Sequence, residues 1–251
     1  MDFNLSEREL EVRKLARDFA NNEIAPVIAK FDESEEFPME IAQKMGELGF
    51  LGIIFPEEYG GAGFTTTEYA LIIEEISKID PSVGLTVASH NGLCSNHIYS
   101  YSNEALKKKY MPDLTSGKSL GAWGLTEAVS GSDAAGMATT ADKKDGHYVL
   151  NGSKMFITQG TVGGTYVVTA ITDKAKGKKG ISAFVLEKGM KGFTTAPIKH
   201  KLGMRSSDTA ELIFDNVEVP AENLIGDEGA GFNQAMEILN GGRIAIAALS
   251  V

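Results

Sequence analysis

The sequence predicts an α+β multidomain chain. An N-terminal all-α helical domain precedes an antiparallel β-barrel or sandwich domain, and the start of a C-terminal helical domain follows. Three observations predict this. Apolar residues recur at helical spacing through the first hundred or so positions; after Leu114 they form short alternating runs amid frequent glycine; from about Glu228 the helical spacing returns. The expected boundaries are 1–117, 118–227 and 228–251.

Ser6 and Glu9 have the spacing of a capping box, and Leu10, Val12, Leu15, Ala16 and Phe19 follow at helical period. A second helix is expected from about Met39 to Leu48. The apolar run Phe50 to Phe55 ends in a loop at Pro56 and Gly60-Gly61-Ala62-Gly63. Thr66 or Thr67 is expected to cap a helix carrying Ala70, Leu71, Ile73 and Ile76, which ends at Asp80-Pro81. Pro81 suits the first turn of another helix through Leu85, Val87 and Leu93. A short helix from Asn103 to Tyr110 is expected to stop before Pro112.

Met137 to Ala141 and His147 to Ile157 are strand-like, and Asp145-Gly146 between them is a hairpin signal. Further strands are expected at Tyr166–Ile171, Ile181–Leu186 and Glu211–Phe214, the last entering Val217-Glu218-Val219-Pro220. After Glu228, Phe232, Ala235, Met236 and Leu239 share one helical face. The closing run Ile244 to Val251 is apolar and lacks a capping signal, so the sequence looks cut.

The formal charge of −10 argues against nucleic acid, which requires a basic footprint. Cys94 is the one cysteine, so an intrachain disulfide and any multi-cysteine metal site are excluded; it reads as a small buried hydrophobe. His90, His97, His147 and His200 have no metal-ligand spacing and read as structural or surface residues, so no metal is expected. The opening Met1-Asp2-Phe3-Asn4 is not a signal peptide, and no apolar stretch reaches the roughly 18 residues of a membrane span, so a cytoplasmic protein is expected. No Gly-x-Gly-x-x-Gly fingerprint follows a strand, which argues against a nicotinamide site.

The most informative stretch runs from Trp123-Gly124-Leu125-Thr126-Glu127 through Ser130-Gly131-Ser132-Asp133 to Gly136. It resembles the signature of the acyl-CoA dehydrogenase family: a small residue, an aliphatic, Ser or Thr, Glu, then a Gly-Ser-Asp cluster. Three further stretches match in order: Phe55-Pro56-Glu57-Glu58-Tyr59-Gly60-Gly61; Lys154-Met155-Phe156-Ile157-Thr158; and Leu202 to Thr209 followed by Phe214 to Pro220. The resemblance covers the whole chain. Its alternative at the Gly-Ser-Asp cluster is an ordinary β-turn with Ser/Thr packing.

What the resemblance implies is specific. FAD is the cofactor, with Trp123, Gly124, Leu125, Thr126, Ser130, Gly131 and Ser132 along its ring and ribityl chain, and Phe156, Ile157 and Thr158 closing the other side. Ser132, Asn240 and Arg243 meet the acyl-CoA substrate; a kinked helix with a surface arginine is the alternative for the last two. Amides of a glycine-rich turn aimed at a flavin edge can stabilise the negative charge that gathers there. The Lys174–Lys179 run reads as a solvated hairpin tip rather than a contact to CoA phosphates.

The implied activity is α,β-dehydrogenation of an acyl-CoA thioester to the trans-2-enoyl-CoA, with electrons passed to an electron-transfer flavoprotein. A homodimer or homotetramer is implied for the full-length protein. The catalytic carboxylate, strengthened as a base by desolvation, is expected beyond Val251. The alternative family position falls on Gly242, which cannot accept a proton, and Glu127 reads as structural. Rival readings are a flavin oxidase or monooxygenase on the same fold, and a non-catalytic flavin- or acyl-CoA-binding fragment or structural partner.

Overall fold

The computed structural model describes residues 4–251, so Met1 to Phe3 of the leader reading lie outside the described residues. Helix α1 (Glu7–Phe19) starts at the expected capping box: the Glu9 amide donates to Ser6 Oγ (3.3 Å), and the Ser6 amide donates to Glu9 Oε2 (2.7 Å). A π-helical turn, Ala20–Ile24, continues it, then come α2 (Ile28–Ser34) and α3 (Met39–Glu47). Helix α2 had no signal in the periodicity.

Phe50, Leu51, Ile53 and Phe55 are fully buried in consecutive turns. The buried Asn91 side chain satisfies this irregular backbone, accepting from the Ile53 amide and donating to the Phe50 carbonyl, both at 3.0 Å. Helix α4 (Thr66–Ser77) is capped by Thr65, not by Thr66 or Thr67. Of these three threonines, only Thr65 has a glutamate three residues on, and Glu68 closes a second capping box. Asp80 caps α5 (Pro81–Ser89) with Pro81 in its first turn, as expected. A π-helical turn, His90–Ser95, leads into α6 (Asn96–Tyr101).

Helix α7 (Glu104–Thr115) runs through Pro112 instead of stopping before it. Burial of Tyr110, Met111, Leu114 and Thr115 outweighs the amide that proline lacks. Thr115 Oγ1 also donates to the carbonyls of Tyr59 (2.7 Å) and Met111 (3.0 Å), tying down the last turn.

Seven strands form one connected sheet: β1 (Gly121–Gly124), β2 (Thr140–Lys144), β3 (His147–Thr158), β4 (Thr165–Ile171), β5 (Ile181–Glu187), β6 (Phe193–Pro197) and β7 (Thr209–Pro220). The β2–β3 hairpin turns at Asp145-Gly146 as expected. The pairs β3–β7, β6–β7 and β4–β5 are antiparallel, but β1 runs parallel to β4, from Gly121 opposite Thr165 to Gly124 opposite Val168. The expected antiparallel domain is present, with the β1–β4 pair and the Thr140–Ile171 contact of β2 with β4 as its parallel exceptions. Lys174–Lys179, between β4 and β5, is an exposed tip.

Helix α8 (Gly231–Leu249) bridges the layers. Its Ala235 and Ile238 share an apolar cluster with Trp123, Leu125, Val167 and Val185, whereas Ala245 joins the helical core around Phe50, Ile72 and Val87. A separate core inside the sheet holds Tyr148, Leu150, Tyr166, Phe184 and Phe214. Strand β1 and the residues following it therefore sit where helices and sheet meet. No helix among the described residues is long and apolar enough to cross a membrane.

Candidate functional site

Two backbone arms come together at this junction. One leaves β1 as Leu125-Thr126 and turns at Glu127–Ser130, whose backbones hydrogen-bond to each other at 2.8 and 3.1 Å. The other is the end of β3. The Met155 amide donates to the Thr126 carbonyl at 2.8 Å and joins them.

The first arm is buried at its start and open at its tip. Trp123 and Leu125 are buried and Thr126 is half-buried. The Trp123 indole Nε1 donates to His97 Nδ1 at 3.0 Å, so its side chain faces inward. At Gly124 a Cβ would come within 3.2 Å of Lys154 Cγ. Ser130 is buried, its hydroxyl donating to the Asp133 carbonyl at 2.7 Å. Gly131 and Ser132 are exposed, with nothing within 4 Å of a Cβ built on Gly131.

The second arm is distorted. Between Lys154 and Ile157 the pairing with β7 slips, and Phe156 takes a left-handed backbone (φ 60°) that projects its ring outward, 65% exposed. A strained backbone holding an apolar ring in the open is a feature that folding alone does not reward. The Ile157 side chain lies in the β core, whereas Thr158 is half-buried and lines a cavity.

That cavity, of about 320 Å³, is mostly apolar. Leu85, Ala88 and Ser89 of α5, Leu93 of the π-helical turn, Thr158, and Leu239, Gly242, Arg243, Ala245 and Ile246 of α8 line it. Arg243 donates to Asn240 Oδ1, one turn back on the exposed side of α8, and Asn240 is not part of the lining. Gly242 does line the cavity, and among the described residues no carboxylate does. A larger hollow of about 630 Å³ lies between Glu35–Met39 and residues 195–209 and shares no residue with either arm or with this cavity.

Beneath the arms lies an ion pair with little access to water. Lys154 Nζ sits 2.7 Å from Glu127 Oε1 and 3.2 Å from the Leu125 carbonyl, with the Lys154 side chain 0% and the Glu127 side chain 4% exposed. Glu127 also accepts from the amides of Ala138 (2.5 Å) and Thr139 (3.1 Å). Burial raises the Glu127 carboxyl, but the Lys154 ammonium and these donors outweigh it and hold the group below the ordinary carboxylate range. Burial pushes Lys154 down to about 8. Glu127 is thus a fully engaged anion rather than a proton acceptor.

Lys154, His90 and His97 had not been singled out in the sequence as site residues. For Lys154 a signal existed: it falls in register with the inward-facing Tyr148 and Leu150, where a lone lysine demands a buried partner. The histidines gave none, because what they face comes from elements distant in sequence.

Known proteins resemble this chain in sequence and in fold. Residues 6–118 match the model of the acyl-CoA dehydrogenase N-terminal domain, and residues 122–217 match that of the middle domain. A short-chain-specific acyl-CoA dehydrogenase of Clostridium acetobutylicum is 48% identical over 248 residues, covering 99% of this chain and 65% of the relative. The butyryl-CoA dehydrogenase of Megasphaera elsdenii superposes with a TM-score of 0.96 at 44% identity, over 100% of this chain and 66% of the other. A chain from a structure of the electron-transferring flavoprotein of Acidaminococcus fermentans, solved to address flavin-based electron bifurcation, reaches a TM-score of 0.97 at 48% identity, over 100% of this chain and 66% of its own length. The chain therefore spans slightly less than two thirds of these relatives. With both domain models matched in order, and with the fold and the two arms in place, the chain belongs to the acyl-CoA dehydrogenase family.

Proposed function

We propose that this chain is the cofactor- and acyl-binding portion of an FAD-dependent acyl-CoA dehydrogenase that converts an acyl-CoA thioester to its trans-2-enoyl-CoA. The observation that carries this reading is the convergence of the Gly124–Ser132 and Phe156–Thr158 arms beside an apolar cavity closed by α8. The residues present fit FAD: Gly131 leaves an open approach to backbone, and the outward Phe156 ring offers an apolar face. FAD, when bound there, supplies the two-electron acceptor.

In this reading the chain's own residues bind and orient. Backbone of Gly124 to Thr126 and the hydroxyls of Thr126, Ser132 and Thr158 would hold the cofactor, with Trp123, Leu125, Ser130 and Ile157 fixing that backbone from inside. The acyl chain would enter the cavity lined by Leu85, Leu93 and Leu239, whose apolar walls exclude water from the reacting carbons. Arg243, braced by Asn240, would hold the polar part of the thioester ligand at the cavity edge, with Ser132 on the opposite arm. The proton-accepting carboxylate is assigned outside these 251 residues, since Glu127 is committed to Lys154 and Gly242 has no side chain. The units 1–117, 118–227 and 228–251, an electron-transfer flavoprotein as acceptor, and homo-oligomerisation belong to the same proposal. The Acidaminococcus fermentans similarity and the exposed Ile244 and Ile246 on α8 support the last two.

The test uses protein made from the complete reading frame and loaded with FAD. Anaerobic addition of butyryl-CoA should bleach the visible flavin band. A spectrum unchanged by both butyryl-CoA and octanoyl-CoA rejects the reading.

A further inference from the structure

Strand β1 is four residues long and feeds directly into the first arm. It has a parallel neighbour in β4, Ala122 packs in the sheet core and Gly124 lies against Lys154 of β3, and helix reaches it from the other direction. Two buried histidines, seven positions apart on the continuous helical run from Pro81 to Tyr101, reach it. The Gly121 amide donates to His90 Nδ1 at 3.0 Å, and the Trp123 indole Nε1 donates to His97 Nδ1 at 3.0 Å. Because each Nδ1 accepts from an N–H, it carries no hydrogen, and the proton of each neutral ring sits on Nε2. Both Nε2 atoms face oxygen: His90 donates to the Leu114 carbonyl at 3.0 Å and His97 to Gln234 Oε1 at 3.1 Å. Gln234 is oriented in turn, since its Nε2 donates to the Ile225 carbonyl at 3.1 Å. Both rings are 0% exposed. Between them the helix leaves no slack, as a Cβ on Gly121 would sit 2.8 Å from Cys94 Cβ.

We propose that His90 and His97 are positioning residues for the cofactor site: as paired Nδ1 acceptors they fix the depth and rotation of β1, and with it the Gly124–Ser132 backbone. This inference rests on the cofactor reading above. Through Nε2 and Gln234, His97 also touches α8, the helix that lines the acyl cavity, but it is the Nδ1 acceptor that sets the cofactor arm. Neither ring touches the proposed ligands. Their effect is carried by the strand. Burial pushes both histidines down to about 4, so the neutral form that can accept at Nδ1 persists through the physiological range.

The experiment reads the environment of Trp123 and uses two partial mimics of histidine. An asparagine places Oδ1 near the position of Nδ1 and keeps the acceptor for Trp123. A glutamine places its amide near Nε2 and keeps only the link to Gln234. In protein made from the complete reading frame, His97→Asn should bind FAD within about twofold of wild type, whereas His97→Gln and His97→Leu should bind about tenfold more weakly, the scale of one lost hydrogen bond. Trp123 emission in the flavin-free protein, taken as the difference from the same protein carrying Trp123→Phe, should match wild type in His97→Asn and shift in His97→Gln. A purely structural role would lower the thermal midpoint in every variant and leave the flavin band and affinity of the folded fraction unchanged. Equal FAD affinity in wild type, Asn and Gln variants overturns the inference, and that comparison stands even if the Leu variant fails to fold. Shifted emission in His97→Gln without weaker FAD binding overturns this inference alone. Wild-type protein that takes up no FAD overturns the functional reading and this inference with it.

Discussion

Lys154 Nζ and Glu127 Oε1 lie 2.7 Å apart with both side chains almost wholly out of water, joining the middle of β3 to the turn that follows β1. Neither charge is tolerable alone at that depth, and together they satisfy the Leu125 carbonyl and the amides of Ala138 and Thr139. Lys154→Met should therefore destabilise the protein by about 3–5 kcal/mol in urea unfolding, because it strands a buried carboxylate. Lys154→Met with Glu127→Leu should cost clearly less than the sum of the single changes. Additive costs would contradict a coupled pair.

Phe156 separates stability from binding. Its left-handed backbone disfavours any side chain, and its ring is mostly in solvent. Phe156→Gly should leave the unfolding free energy within about 1 kcal/mol of wild type, since relieved strain and glycine's entropy loss offset. FAD affinity in the complete protein should nevertheless fall roughly tenfold through the lost aromatic face. A large loss of stability with intact affinity would remove Phe156 from the site.

Glu75 is the acid-sensitive point of the helical core. Hydrogen bonds from Arg17 lead the factors that hold its carboxyl at about 2, against the ordinary 4.5; Arg13 and Lys78 add to them, and burial opposes. A folded-state value below the unfolded one means that the stabilisation is complete above about 4.5 and is lost as pH falls towards 2. Arg17 is half exposed, so solvent screening limits the effect to roughly 1–2 kcal/mol. The thermal midpoint of Glu75→Gln should sit below wild type at pH 7, and the two should converge at pH 2–3. Parallel curves across that window would refute the assignment.

Gly231 opens α8 against β5. A Cβ there would lie 2.5 Å from the Ser182 carbonyl carbon and 2.8 Å from the Ala183 nitrogen, and neither backbone atom can step aside. Gly231→Ala should cost about 1–3 kcal/mol, in spite of alanine's better helix propensity, by pushing α8 off the sheet. Urea unfolding measures this directly, and a variant as stable as wild type would show that the contact yields.

Legibility followed range. The Ser6/Glu9 box, the Asp80-Pro81 start and the Asp145-Gly146 hairpin depend on neighbours within a few residues, and all were readable. The Thr65 cap was readable as well, through Glu68, but three successive threonines concealed it. Helix α7 continues through Pro112 against the local proline signal because its buried face lies against elements far away in sequence. Strand β1, with two glycines in four residues, has too little local preference to announce itself.

The family motifs, the order of helical and strand-rich regions and the lack of a carboxylate at Gly242 are all present in the amino-acid order, since they depend on residue identity and short spacing. Folding decided the rest: that Lys154 and Glu127 neutralise each other, that His90 and His97 on one helical run accept from one short strand, and that α5, β3 and α8 line a cavity. Charge state, tautomer and void depend on which groups remove water from one another, and elements as far apart as His97 and Gln234 meet only when the chain is packed.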